Sequence, residues 1–268
     1  MKLKGGWGQS QSLAELTEKQ KYCLTRLIYV RHSSNPAPTG VLVALVIIAL
    51  WASSLVAFLY VDIAQLGFLW ILPAVLGRTY IQTGLFIVAH DAIHGSVMPS
   101  DRRLNHGIGR LAVTLYALLS YRKLFLNHWK HHRYPGQAKD PDFHDGTHRN
   151  FLLWYWRFMD GYMNDKERIV MLFKMIAIFL VASFGLHISV TNMFLFWFLP
   201  IVLSSTQLFF FGTYLPHRSE SGGGDHHAVS SNYPIFLSLL TCYHFGYHWE
   251  HHEYPDIPWY GLPSVRQS

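Results

Sequence analysis

Cysteine is nearly absent: Cys23 and Cys242 are the only two in 268 residues. Two thiols can neither build a disulfide framework nor hold an iron–sulfur cluster, so both are read as free and reduced. Charge is scarce as well. Asp, Glu, Lys and Arg make up 14% of the chain, against roughly a quarter in ordinary soluble domains. No arginine-rich run and no interleaving of basic and aromatic residues occurs, so the formal net charge of +6 is not read as a nucleic-acid footprint. No H-E-x-x-H string is present, which disfavours a zinc protease. No apolar stretch precedes residue 40, so a secretory signal is not expected.

What fills the chain instead is apolar. Half of it is hydrophobic and 16% aromatic, with a mean hydropathy of +0.14. These residues lie in long runs, which reads as an integral membrane protein. About 20 residues at 1.5 Å rise cross a hydrocarbon core of about 30 Å, and Gly40–Val61 is such a run. After a short turn at Asp62–Gln65, a second run starts at Leu66 and carries His90 and His94 at its far end. It contains Arg78, costly at membrane depth unless it pairs with a carboxylate, lines a cavity or snorkels to the interface. Ile108–Leu119 is too short to span and suits a re-entrant or interfacial helix. Residues 136–151 read as a polar loop. Trp154–Arg157 follows as an amphipathic surface segment with aromatics suited to the interface. A third span runs from about Ile169 to Val190, with Lys174 near its start, and a fourth from about Asn192 to Tyr214. Residues 1–39 form a polar N-terminal segment, in which Ser12–Arg26 could lie as an amphipathic helix on the membrane. Residues 40–268 form one membrane-embedded domain.

Sidedness follows from the spacing. Four spans in two tight hairpins put residues 1–39, 90–168 and 215–268 on one side and leave only two small turns on the other. Every Lys and Arg outside the spans then falls on one face, which the positive-inside rule makes cytoplasmic. The histidines gather on that same face.

Those histidines are the centre of the sequence. His128-Trp129-Lys130-His131-His132 and His248-Trp249-Glu250-His251-His252 both read H-x-x-H-H. On a helix, positions i, i+3 and i+4 share one face. His90 and His94 add a pair at i and i+4, and His217 lies just beyond the fourth span. Nine imidazoles (His90, His94, His128, His131, His132, His217, His248, His251 and His252) exceed the four ligands of a closed zinc site and the three of a catalytic one. They suit two five- or six-coordinate ions with open positions. Nine neutral ligands leave two divalent ions uncompensated, so nearby carboxylates are expected, with Asp91, Asp140, Asp142, Asp225, Glu250 and Glu253 as candidates. His32, His106, His148 and His187 are read as non-ligands and His144 as a weak candidate. His226, His227 and His244 lie between ligand segments and could coordinate or orient.

Histidine boxes arranged around paired transmembrane hairpins resemble the membrane fatty-acid desaturase and hydroxylase superfamily. The resemblance covers residues 40–262. More narrowly, His90-Asp91-Ala92-Ile93-His94-Gly95, Asp140-Pro141-Asp142-Phe143-His144, Tyr214-Leu215-Pro216-His217-Arg218, Leu239–Gly246 and His248-x-x-His251-His252 followed by Pro258-Trp259 are similar to the bacterial and cyanobacterial β-carotene ketolases. The resemblance implies an all-α integral membrane protein: four transmembrane helices in two hairpins, re-entrant or interfacial helices, and a cytoplasmic histidine-rich cap holding a di-metal site. It implies two iron ions on the nine histidines, O2 as co-substrate, a ferredoxin-type electron donor, and β-carotene drawn from the lipid membrane. The reaction implied is conversion of the C4 methylene of a β-ionone ring to a ketone, giving echinenone and canthaxanthin. The alternatives are a carotenoid β-ring hydroxylase, an alkane or fatty-acyl hydroxylase of the same superfamily, and a histidine-rich metal transporter. The H-x-x-x-H spacing of the first box is shorter than in many acyl-chain desaturases.

Overall fold

The structure is a computed structural model and describes residues 39–144, 149–218 and 224–266. The expected N-terminal segment lies outside the described residues apart from Thr39, as do His32 and His148. Among the described residues the fold is all helix, without a strand. Four helices are long and apolar enough to cross a membrane: α1 (Thr39–Leu59), α3 (Phe68–His94), α7 (Asp165–Gly185) and α8 (Val190–His217). Between α1 and α3 lies a single turn of helix, α2 (Ile63–Leu66). Their outward faces are apolar and open, with Phe68 87%, Leu69 83%, Phe173 76% and Phe184 76% exposed. Such surfaces suit lipid, not water.

Shorter helices cap one end. They are α4 (Arg102–Ala117), α5 (Tyr121–Arg133), α6 (Phe151–Gly161), α9 (Ile235–Cys242) and α10 (His248–Glu253). Their starts are written in the sequence. Asp101, Ser120 and Asn150 each accept a hydrogen bond from a backbone N–H in the first turn of α4, α5 and α6, and Asn164 forms a capping box with Glu167 at the start of α7. Glu167 also accepts from Lys123 Nζ at 2.9 Å, which fastens α5 to α7.

α3 is the central pillar, packing against α4, α8 and α1. Several polar side chains inside the apolar zone find partners there, in place of the water that is absent. Trp51 Nε1 donates to Gln82 Oε1 at 2.6 Å, and Gln82 Nε2 donates to the Tyr116 carbonyl at 2.5 Å. Thr83 bonds Ser204 and Gln207 on α8. At the end away from the histidines, Asn192 Nδ2 donates to the carbonyls of Phe58, Leu59 and Val61. One amide thereby bonds the last two carbonyls of α1 and one in the turn beyond it, joining the two hairpin turns.

The structure corrects several expectations. Arg78 is fully buried and neither pairs with a carboxylate nor snorkels. Its Nε donates to the Phe196 carbonyl at 3.1 Å, and its Nη1 donates to the Trp51 carbonyl at 3.1 Å and to Ser54 Oγ at 2.8 Å. Phe196 lies in a wider π-type turn of α8 (Phe194–Phe198). Such a turn breaks the regular ladder and frees a carbonyl to accept. The third and fourth spans start earlier than expected, and their link is residues 186–189, not Thr191-Asn192. His187 makes the reversal with φ +54°. Lys174 therefore lies near the middle of α7. The short apolar run Ile108–Leu119 is the latter part of an amphipathic helix that begins at Arg102. Trp154 is not interfacial: it is 1% exposed and donates from Nε1 to the Asp142 carbonyl at 2.9 Å.

Candidate metal centre

The nine histidines come from four places: the last turns of α3 (His90, His94), the end of α8 (His217), α5 (His128, His131, His132) and α10 (His248, His251, His252). Eight of them form two buried groups. His90, His94, His128 and His251 make one; His131, His217, His248 and His252 make the other. Within each group the ligand atoms all lie within 4.8 Å of one another. His132 stands between them: its Nε2 is 3.1 Å from His128 Nε2 and 3.0 Å from His251 Nε2, while its ring stacks on His252 at 4.3 Å. Each H-x-x-H-H box thus serves both groups. One face of a helix, seen end on, straddles a gap between two sites.

The nitrogens converge. Nε2 pairs lie at 2.8 Å (His94, His128), 3.0 Å (His131, His252), 3.0 Å (His217, His248) and 3.1 Å (His252, His248). Two nitrogens bound to one ion at about 2.1 Å and at a right angle would stand about 3.0 Å apart. His90 Nε2 is buried with no hydrogen-bond partner, an orphan that a cation would satisfy. Burial, then crowding by neighbouring imidazoles, holds His128, His132, His248, His251 and His252 far below the usual histidine range. Neutral imidazole is the ligating form. The donor set fits metal ions.

Carboxylates and carbonyls aim some of these rings from behind. Both Asp140 oxygens lie 2.9 and 3.0 Å from His131 Nδ1. Burial alone would lower the His131 pKa, but the Asp140 charge and hydrogen bond raise it. His217 Nδ1 donates to the His227 carbonyl at 2.7 Å. Asp91 lies 3.5 Å from His90 Nδ1 and accepts from the Trp259 amide. Asp142 stands one step back: its amide donates to Asp140 Oδ1, and its carboxylate accepts from the Tyr162 hydroxyl at 2.6 Å. Burial, followed by the pull of His131 and the push of Asp140, leaves Asp142 at about 6. Glu250 is buried but bonds Ser230, not a histidine. Glu253 pairs with His226 at 2.8 Å. The Asp225 side chain lies outside what the structure describes. His226, His227 and His244 join neither group; His106 bonds the Tyr121 hydroxyl, and His187 is exposed.

A narrow apolar cavity of about 70 Å³ meets both groups, touching His90 and His128 of one and His131 and His248 of the other. Phe86, Ile93, Leu124, Phe158 and Leu208 supply much of its wall. Phe245 presses its ring against Gly212, where any Cβ would overlap it, and stands perpendicular to the His90 ring with centroids 4.9 Å apart. A second groove shares Leu119, Tyr162 and Met163 with the cavity and continues past Thr114, Val170 and Lys174. Tyr162 and Gly212 carry no signal in the sequence, and Phe245 stands out only as part of the Leu239–Gly246 string, because their roles depend on contacts between distant segments.

The chain is thus an all-helical membrane bundle whose one end buries two groups of four imidazoles beside an apolar cavity. Residues 65–268 match the fatty acid desaturase family, and the chain belongs to it. It is 44% identical over 195 residues to the beta-carotene ketolase of Paracoccus sp. (strain N81106 / MBIC 01143), covering 71% of this chain and 77% of that protein. It is 38% identical over 242 residues to the zeaxanthin 4-ketolase of Chlamydomonas reinhardtii, covering 85% of this chain and 53% of the alga's protein. With the beta-carotene 4-ketolase of Protosiphon botryoides it shares 35% over 264 residues, covering 89% and 67%.

Proposed function

We propose that the chain is an O2-dependent carotenoid 4-ketolase, an oxidoreductase that converts the C4 methylene of β-ionone rings to a ketone. β-Carotene would become echinenone and then canthaxanthin through two successive hydroxylations at one carbon and loss of water from the geminal diol. The observation that carries this reading is the apolar cavity floored by histidines of both groups; the ketolase names of its relatives choose the reaction.

Two iron ions held by the nine imidazoles would supply reductive activation of dioxygen and attack on the allylic C4–H bond. The chain's own residues do the rest. Asp140 and the His227 carbonyl hold the Nδ1 hydrogens of His131 and His217, so that Nε2 of each is presented bare to the metal. Phe86, Leu124, Phe158 and Leu208 exclude water and seat an apolar ring end-on. Phe245, wedged by Gly212, limits how far the ring travels and which carbon faces the histidines. The groove past Leu119 and Met163 leaves room for the polyene to trail toward lipid. The histidine face is cytoplasmic in this reading, from the basic residues gathered there, and a ferredoxin-type protein supplies the electrons. Residues 1–39 form the separate N-terminal segment and 40–268 the catalytic domain.

Expression in a β-carotene-producing bacterial strain, with pigments separated by HPLC, tests it. Echinenone and canthaxanthin are expected. Only hydroxylated carotenoids, or unchanged β-carotene, would sink the proposal.

A further inference from the structure

The buried imidazoles make few ring contacts with exposed side chains, and one of these stands out. Trp129 is 39% exposed, yet its ring lies 5.1 Å from that of His94 and 5.8 Å from that of His132. Behind it on the same helix Phe125 follows at 6.5 Å, and His106 of α4 at 5.8 Å from Phe125. This line of rings runs across a cationic surface. Arg122, Lys130 and Arg133 of α5 are exposed, as are Arg102, Arg103 and Arg110 of α4. Arg102 reaches over the end of α3, where a Cβ on Gly95 would lie 2.5 Å from its Nη1. Apart from Lys123, which pairs with Glu167, six cations on these two helices face one acid, Asp101, which is engaged in capping α4. The second group of histidines meets the surface differently. There His226, 5.8 Å from His252, is bound to the carboxylate of Glu253.

We propose that α4 and α5 form the docking face for an acidic, water-soluble one-electron carrier protein, and that electrons enter through Trp129 toward His94 and His132. The inference rests on the oxygenase reading, whose stoichiometry demands such a face. Each hydroxylation, R–H + O2 + 2 e⁻ + 2 H⁺ → R–OH + H2O, consumes two electrons from outside, delivered one at a time by a carrier that is oxidised by one electron per visit. Trp129 is neither oxidised nor reduced. Its ring fills the gap between the carrier and the histidines, across which transfer would otherwise fall steeply with distance. The cations attract an acidic carrier and orient it, an effect that acts mainly on association and weakens with salt.

The test uses the full chain in nanodiscs of zwitterionic lipid and a reduced plant-type [2Fe–2S] ferredoxin as probe. Binding is measured by biolayer interferometry across a NaCl series. The variant Arg103→Glu/Arg122→Glu/Arg133→Glu is expected to weaken binding more than tenfold and to flatten its salt dependence. Trp129→Leu is expected to leave ferredoxin binding within twofold while slowing anaerobic reduction of the bound metal by ferredoxin at least tenfold. Reduction by dithionite, which needs no docking, is expected to change less than threefold in both variants. Ferredoxin affinity unaffected by the triple reversal overturns the docking face. Equal slowing with dithionite overturns the entry route. If the triple variant instead loses only its partition into anionic vesicles, the surface is a lipid-headgroup face and the proposal fails. Ferredoxin binding by a wild-type chain that makes no ketone would remove the ketolase reading and leave the docking face standing.

Discussion

Asp140 grips His131 from behind, with both carboxylate oxygens within 3.0 Å of Nδ1, while His131 Nε2 points at His252 Nε2 from 3.0 Å. The pair is almost wholly buried. A carboxylate there fixes the ring's tautomer and raises its basicity, and losing such a partner costs about 10–100-fold in metal affinity. Asp140→Asn should therefore loosen metal in the His131 group first. Elemental analysis after mild chelation is expected to show about half the wild-type iron remaining, with the His90 group still filled. Equal loss from both groups would mean that Asp140 acts on the fold as a whole.

His251 crosses over. It sits on α10 beside His248 and His252, yet it ligates with His90, His94 and His128 in the proposed centre. His251→Ala should abolish ketone formation and remove iron, with insertion in the membrane unchanged by alkaline extraction. Alanine at any other of the nine positions is expected to do the same. Wild-type turnover in His251→Ala would strike that residue from the ligand set.

That crossing also marks where sequence reading stops. All nine histidines were legible, because H-x-x-H-H is improbable in an ordinary core and because two tight hairpins force every box to one side. Their division was not. His131 and His132 are neighbours in the chain, about 100° apart around the helix, and the packing of α5 against α3 and α10 decides which group each one meets. The spans were legible from uninterrupted apolar runs, but an unbroken run hides its own breaks: nothing around His187 announces a reversal. Arg78 was legible as a problem and not as a solution. Its acceptors, the carbonyls of Trp51 and Phe196, are backbone groups that no side-chain pattern encodes.

Acid should unfold the chelated protein early. The pKa values of His128, His132, His248, His251 and His252 are depressed in the folded state, against about 6.5 unfolded. Below pH 6.5 the unfolded chain then binds more protons than the folded one, and stability falls as pH falls. His131 and Asp142 work the other way, since their folded pKa values are raised, but they are two against five. Thermal melts of EDTA-treated protein in detergent should show Tm dropping steadily from pH 7 to pH 5. A flat profile would show that these imidazoles are solvated in the metal-free state.

Arg78 joins α1, α3 and α8 through three hydrogen bonds. Interhelical hydrogen bonds in membranes average about 0.6 kcal/mol, so Arg78→Met should cost about 2 kcal/mol. At about 2–4 °C per kcal/mol for a domain of this size, Tm is expected to fall by about 4–8 °C. Iron content should be retained, because the nearest histidine on α3 lies three turns away. Loss of iron at unchanged Tm would instead make Arg78 part of the centre.

Gly212 is a position where the cavity wall can be altered without touching a ligand. A methyl group there overlaps the Phe245 ring, and the ring can retreat only toward His90 and the cavity. Overpacking of this kind costs about 1–3 kcal/mol, so Gly212→Ala should fold with reduced Tm. Its larger effect should be on the substrate, which meets a shallower floor: KM for β-carotene is expected to rise several-fold while iron content stays at the wild-type level. Phe245→Leu in the same background shortens the intruding side chain and should restore most of the lost affinity. Deepening the floor alone, with Phe245→Leu on the wild-type glycine, lets the ring slide past its stop, and oxidation at a second ring carbon should appear beside the 4-ketone in the HPLC trace. An unchanged product pattern in that single variant would show that the ring is positioned by the cavity's side walls, with Phe245 serving only to hold His90 in place.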